Sequence, residues 1–145
     1  MILQIKKLTD TAIIPEHGSK EAAGYDLFCD SEVEIEIQSH QTVMIHTGLS
    51  VAVPQGYFGG VFARSGLSSK EGLRPANCTG VIDSDYRGEV MVALHNDSEI
   101  ARTVTPKQKV AQLVILPYLS VEFEEVMQLS DTSRGEGGFG STGKH

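Results

Sequence analysis

The strongest constraint in this chain is a period of two. Val33, Ile35 and Ile37 alternate with Glu34, Glu36 and Gln38, and the pattern returns at Val43 and Ile45, at Val51 and Val53, and at Val90, Val92 and Leu94. Successive side chains of an extended strand point to opposite faces, so such segments bury one face and wet the other. Turn-formers stand between them: His17-Gly18-Ser19, His46-Thr47-Gly48, Pro54-Gln55-Gly56, Tyr86-Arg87-Gly88 and His95-Asn96-Asp97-Ser98. No window of a dozen residues carries a helical stripe; one short helical piece is expected from Ser68 to Gly72, capped by Ser69. Many short strands with frequent turns predict an all-β fold, a barrel or sandwich that closes or doubles its sheets to protect their edges. A chain of 145 residues accommodates one such domain with a small core. The apolar pattern stops after Leu129, which sets a domain over 1–129 and an arm over 130–145.

The net charge of −7 argues against duplex nucleic acid as a partner, because that needs a basic face. An anionic ligand must then be met by local positive charge. Cys29 and Cys78 lack Cys-x-x-Cys spacing and are expected to be reduced, inert thiols. The histidines fall in no metal-binding spacing such as H-E-x-x-H, so no zinc is assigned. With no signal peptide, long apolar run or lipidation box in the sequence, a soluble, cytoplasmic protein without a membrane partner is expected.

Five segments are poorly explained by packing. In "AAGYDLFCD", residues 22–30, Asp26 reads either as a turn carboxylate or as a contact to a metal or water. In "ARSGLSSKEGL", residues 63–73, Arg64 presents a planar fork of donors suited to phosphate oxygens, Ser65 adds a hydroxyl, and Gly66 lets backbone approach a ligand; a surface Arg in a turn is the alternative. "GVIDSDYRGEV", residues 80–90, reads as a hairpin with Asp83 and Tyr86 near its tip, where a carboxylate can act as general base and an aromatic can wall a sugar pocket. Gln112, in "KQKVAQLVILP" at residues 107–117, could bond a phosphate, hold Asp26, or be a satisfied sheet residue.

The fifth segment is "RGEGGFGSTGKH". Gly138, Gly140 and Gly143 match G-x-G-x-x-G, and Gly138 to Lys144 matches G-x-x-x-x-G-K. Both motifs work through a helix N-terminus that faces the phosphate, and no such helix is expected here. Two readings stay open: a flexible glycine-rich terminus, or a tail that closes over a ligand with Arg134, Phe139, Ser141 and Thr142.

In order and spacing, "AGYDL", "RSGL", "GVIDSDYRG", "AQL" and "RGEGGFGSTG" resemble the five motifs of the trimeric dUTP diphosphatases (dUTPases), over residues 22–143. The resemblance implies a jelly-roll-like, distorted β-barrel that assembles as a homotrimer with active sites shared between subunits. One subunit would supply Asp26, Arg64, Ser65, Gly66 and Gln112, a second the hairpin around Asp83, and a third its arm. By the same resemblance Phe139 stacks over uracil, Gly140 beside it also binds the substrate, and Arg134, Ser141 and Thr142 hold the γ-phosphate. Backbone groups from Val81 and Ile82 across to Met91, with Asn77, would read the base, and Tyr86 under the deoxyribose would exclude a 2′-hydroxyl. Asp83 would activate water for attack on the α-phosphorus, giving dUMP and pyrophosphate. Mg²⁺ would ride on the triphosphate, with Asp26 in contact only through water.

One segment departs from the family pattern. Where the family shows an Arg ahead of its "AQ", this chain has Lys109, and a looser ion pair to Asp26 is expected. The rivals are a dCTP deaminase, which shares the fold but resembles "RSS" where this chain has Arg64-Ser65-Gly66, and a non-catalytic dUTP sensor.

Overall fold

The alternating segments form strands wherever a neighbour takes up their backbone groups. The computed structural model describes residues 1–138 and is all-β, as expected. The largest sheet runs in the order β2 (Glu16–His17), β3 (Tyr25–Phe28), β12 (Lys109–Pro117), β7 (Tyr57–Phe62) and β9 (Thr79–Ile82). A three-stranded sheet sets β10 (Met91–Asn96) between β5 (Thr42–His46) and β8 (Leu73–Pro75). Two pairs complete it: β1 (Gln4–Lys7) with β6 (Leu49–Ala52), and β4 (Ile35–Ile37) with β11 (Arg102–Val104). All pairings are antiparallel. The ladders do not join into one continuous barrel among the described residues; the sheets instead wrap a shared core. Val51, Ile45, Ile37 and Leu27, one from each sheet, belong to a single buried cluster.

β10 shows how the pattern is used. Val92, Leu94 and Asn96 are buried while Met91 is exposed and Ala93 and His95 are half-buried. A polar group at an inward position must find partners. The Asn96 side chain donates to Ile37 O at 3.0 Å and to Ile100 O at 2.8 Å, stitching β10 to the β4 edge. Asn96 therefore ends a strand, and the turn expected from residue 95 begins after it.

Other local expectations are corrected. Val33 is 68% exposed and lies outside β4. Ser31 accounts for this: its hydroxyl donates to Val33 O at 2.7 Å and accepts from Val33 N, a local turn that competes with the ladder. The helical piece is a single π-type turn at Leu67–Glu71, ended by Gly72 in the left-handed conformation at φ 72. Ser69 does not cap it, because its hydroxyl donates back to Ser65 O at 2.6 Å. Burial of Leu67 anchors the turn one residue earlier than expected. The last strand ends at Pro117, and residues 118–138 continue without another strand, with most of their side chains exposed.

Candidate active site

The chemistry-bearing residues gather in two depressions that share no lining residue. The first, about 220 Å³, is lined by Gly18, Ala22, Gly24, Asp26, Arg64, Ser65, Gly66 and Gln112. Three sequence segments thus meet in space. β3 and β12 pair so that Gln112 stands opposite Asp26, and Gln112 also stands opposite Phe62 at the end of β7, next to Ala63 and Arg64.

Asp26 is a strand residue, which excludes its reading as a turn carboxylate. Its side chain is 11% exposed and takes two cations: Arg64 Nε donates to Oδ1 at 2.9 Å, and Lys109 Nζ lies 2.7 Å from Oδ2. The expected looseness of the Lys109 pair is therefore not found. A register shift between Lys109 and Ala111 sets Lys109 opposite Phe28, and its ammonium sits 5.6 Å from that ring's centroid. Two cations against one carboxylate leave this depression locally positive in a chain of net charge −7, which is what an anionic ligand requires.

Gln112 is a tied group. Its Nε2 donates to Ala63 O at 2.9 Å, holding the strand end that presents Arg64. Gly24 makes room for it, since a Cβ there would lie 3.1 Å from Gln112 Cδ. Gly66 has a different reason to be glycine. A Cβ would meet nothing of this chain and would project into open space beside Ser65.

The second depression, about 260 Å³, is lined by Asn77, Val81, Ile82, Asp83, Tyr86 and Met91, together with Met44, Val61, Gly80, Glu89 and Val90. The expected hairpin is not a ladder: β9 pairs with β7, and β10 pairs with β5 and β8, so the two strands belong to different sheets. Residues 83–90 cross between sheets, from β9 at the edge of the five-stranded sheet to β10 in the middle of the three-stranded one. Asp83 stands exposed at the mouth, and no cation lies within ion-pair distance of its carboxylate among the described residues. A carboxylate without such a pair has the chemistry of a general base.

Comparison with known proteins supplies the family. The dUTPase family model matches residues 10–143. The deoxyuridine 5′-triphosphate nucleotidohydrolase of Nautilia profundicola is 46% identical over 144 residues, covering 99% of this chain and 100% of that protein. The chain belongs to the dUTPase family. The nucleotidohydrolase of Oryza sativa subsp. japonica is 44% identical, over 98% of this chain and 81% of its own length. Among solved structures, the Staphylococcus bacteriophage 80alpha dUTPase with dUPNHPP superposes with a TM-score of 0.89 at 32% identity, covering 98% of each chain.

For a dUTPase, the motif residues divide cleanly. Segments one, two and four build the first depression and segment three builds the second. Arg134 lines neither; its Nε donates to Gly137 O at 2.7 Å in the exposed tail. Phe139, Gly140, Ser141 and Thr142 lie outside the described residues. Sequence reasoning singled out the segment that holds Gly80, Glu89 and Val90 without giving those three a role, and it missed Met44 and Val61, for which periodicity offered no signal because each reads as ordinary strand. Burial raises the Cys29 thiol above its usual pKa, with the Asp30 charge adding to the effect, in keeping with an inert thiol. Between β8 and the end of β10, the hydrogen bond from Arg74 holds the Asp97 carboxyl below its usual range and raises the guanidinium correspondingly.

Lys109→Arg is expected to leave dUTP turnover unchanged or slightly higher, because a guanidinium keeps the charge on Asp26 and presents its donors as a planar fork. Steady-state pyrophosphate release checks it. A large loss would mean that Lys109 occupies a role other than support of Asp26.

Proposed function

We propose that this dUTPase hydrolyses dUTP to dUMP and pyrophosphate at sites shared between the subunits of a homotrimer. The observation that carries the reading is the division of the motif residues: a cationic depression suited to phosphates and a separate one suited to a pyrimidine and its sugar. Neither is a complete site, and in a ring of identical subunits each half meets the other half of a neighbour. The tail supports assembly as well. Leu119, Val121 and Phe123 alternate with polar residues and are 90%, 63% and 97% exposed, a strand pattern lacking a sheet of its own. The single domain then spans 1–129, and the arm over 130–145 closes on a neighbour's site, with Arg134, Ser141 and Thr142 on the γ-phosphate and Phe139 over the uracil beside Gly140.

In this mechanism Arg64 and Ser65 hold phosphate oxygens, Gly66 leaves space for them, and Gln112 and Asp26 fix Arg64. Val81, Ile82 and Met91, with Asn77, read the uracil edge; their spacing leaves no room for thymine's methyl and mismatches cytosine's amino group. Tyr86 lies under the deoxyribose and excludes a 2′-hydroxyl. Asp83 takes a proton from water as its oxygen attacks the α-phosphorus in line. The bond from that phosphorus to the bridging oxygen breaks, and pyrophosphate leaves.

Mg²⁺ is the proposed metal. Among the described residues no three His, Cys, Asp or Glu side chains gather as a ligand set, and both Asp26 oxygens already answer cations. These residues fit a metal held by the triphosphate and water, with Asp26 in contact through water only. When bound, it would neutralise phosphate charge and fix the chain's conformation.

The activity would lower dUTP and supply dUMP for thymidylate synthesis. No described helix is long and apolar enough to cross a membrane. We assign the protein to the cytoplasm, with neither duplex nucleic acid nor membrane as a partner. The test is pyrophosphate release with Mg²⁺ from dUTP beside dTTP, dCTP and UTP, with ammonia recorded in parallel. Rapid release from dUTP alone is expected; ammonia from dCTP would identify a deaminase, and tight dUTP binding without release a sensor.

A further inference from the structure

Tyr86 is the sugar-side wall of the second depression, yet its ring is not packed in the core; it is 42% exposed. An exposed aromatic can discriminate between sugars only if something else fixes it. Two neighbours do so. The Tyr86 hydroxyl donates to Glu89 O at 2.9 Å, so the ring lies back along the turn that follows it. It can lie there because residue 88 has no side chain: a Cβ on Gly88 would overlap the hydroxyl and stand 2.5 Å from Tyr86 Cζ. Gly88 is not among the glycines with positive φ, so steric room rather than backbone freedom explains it.

The turn is itself fastened from beneath. Glu89 Oε1 accepts from Gly48 N at 2.9 Å, and Oε2 lies 2.8 Å from His46 Nδ1. Thr47 Oγ1 donates to Val90 O at 2.6 Å, and Ser50 Oγ donates to Arg87 O at 2.8 Å. Residues 46–50, from the end of β5 into β6, thereby hold every residue from 87 to 90 except Gly88, the one that must stay bare.

We propose that Gly88 and Glu89 are positioning residues for sugar selectivity: Gly88 gives the Tyr86 ring its seat, and Glu89 fixes the carbonyl that holds the ring's hydroxyl. This rests on the functional reading above, in which Tyr86 faces the sugar. An alanine at 88 does not destroy the turn, because the clash falls on the far end of a half-exposed side chain, which can give up its bond to Glu89 O and swing out of its place.

The test compares dUTP with UTP as the ratio of kcat/KM, and dUMP with UMP as a ratio of dissociation constants, in the full chain with Mg²⁺. Gly88→Ala and Glu89→Ala are each expected to reduce the preference for the deoxy sugar by about tenfold, the scale of discrimination that pocket shape alone provides. Glu89→Gln, which keeps an acceptor for Gly48 N, is expected to restore most of it. Equal losses on both sugars, with the preference intact, would mean a merely structural role and would overturn the proposal. Should either alanine variant fold poorly, Tyr86→Phe removes only the hydroxyl and its bond to Glu89 O. An unchanged preference in that variant overturns the proposal equally. A parent chain that binds dUMP over UMP but does not hydrolyse dUTP would refute the catalytic reading while the binding ratios still decide this one.

Discussion

Asp83→Asn is expected to cut dUTP hydrolysis by about 10³-fold, within the range that general-base groups supply, while nucleotide affinity stays nearly unchanged. The carboxylate stands exposed at the mouth of the second depression without a cationic partner among the described residues, so its loss disturbs no ion pair. Asn keeps the shape and can still bond a sugar hydroxyl, but it cannot accept the proton of an attacking water. Single-turnover hydrolysis alongside equilibrium binding of a non-hydrolysable dUTP analogue separates the two effects. Loss of binding together with rate would show that Asp83 holds the substrate rather than activating water.

Arg64→Ala is expected to lower kcat/KM for dUTP by about 10²–10³-fold, the cost of removing one preorganised donor from developing negative charge. A stability loss of about 1.5–3 kcal/mol should accompany it, since Asp26 then loses a charge-assisted hydrogen bond made at 2.9 Å. Arg64→Lys should recover charge but little rate, because a point ammonium does not reproduce the fork. Full activity in Arg64→Ala would remove the first depression from the site.

The two variants together test the sharing of sites. In a trimer refolded from equal amounts of Asp83→Asn and Arg64→Ala chains, about a quarter of the sites pair an intact Arg64 with a neighbour's intact Asp83, so activity should return from two inactive proteins. Sites built within single subunits would give none.

Much of this molecule is legible because a strand's periodicity is local. Val92 and Leu94, Val51 and Val53, Ile45 and Ile37 are buried as their alternation with polar residues requires, and the left-handed Gly48 and Gly56 mark turns visible in the sequence. The pattern misled only where a side chain competed with the backbone, as Ser31 does at Val33. The candidate site residues could be named from their motifs; their mutual placement could not. Residues 80–90 read as a hairpin because turn residues divide two apolar runs, but which strands pair is settled by distant segments, here β7 for one run and β5 and β8 for the other. Lys109 could be named as a departure, yet its contact with Asp26 depends on a register shift in β12 that no local pattern encodes.

By itself, then, the sequence determined the all-β class, the family and the residue types proposed for the chemistry, because each is written in spacing along one strand or loop. Only the tertiary structure decided that Asp26 is a buried strand residue between two cations, that the phosphate-type and pyrimidine-type residues form separate depressions, and that Tyr86 rests on a bare glycine. Those facts depend on which strands lie side by side, and that choice is made by burial of the shared core rather than by any segment alone.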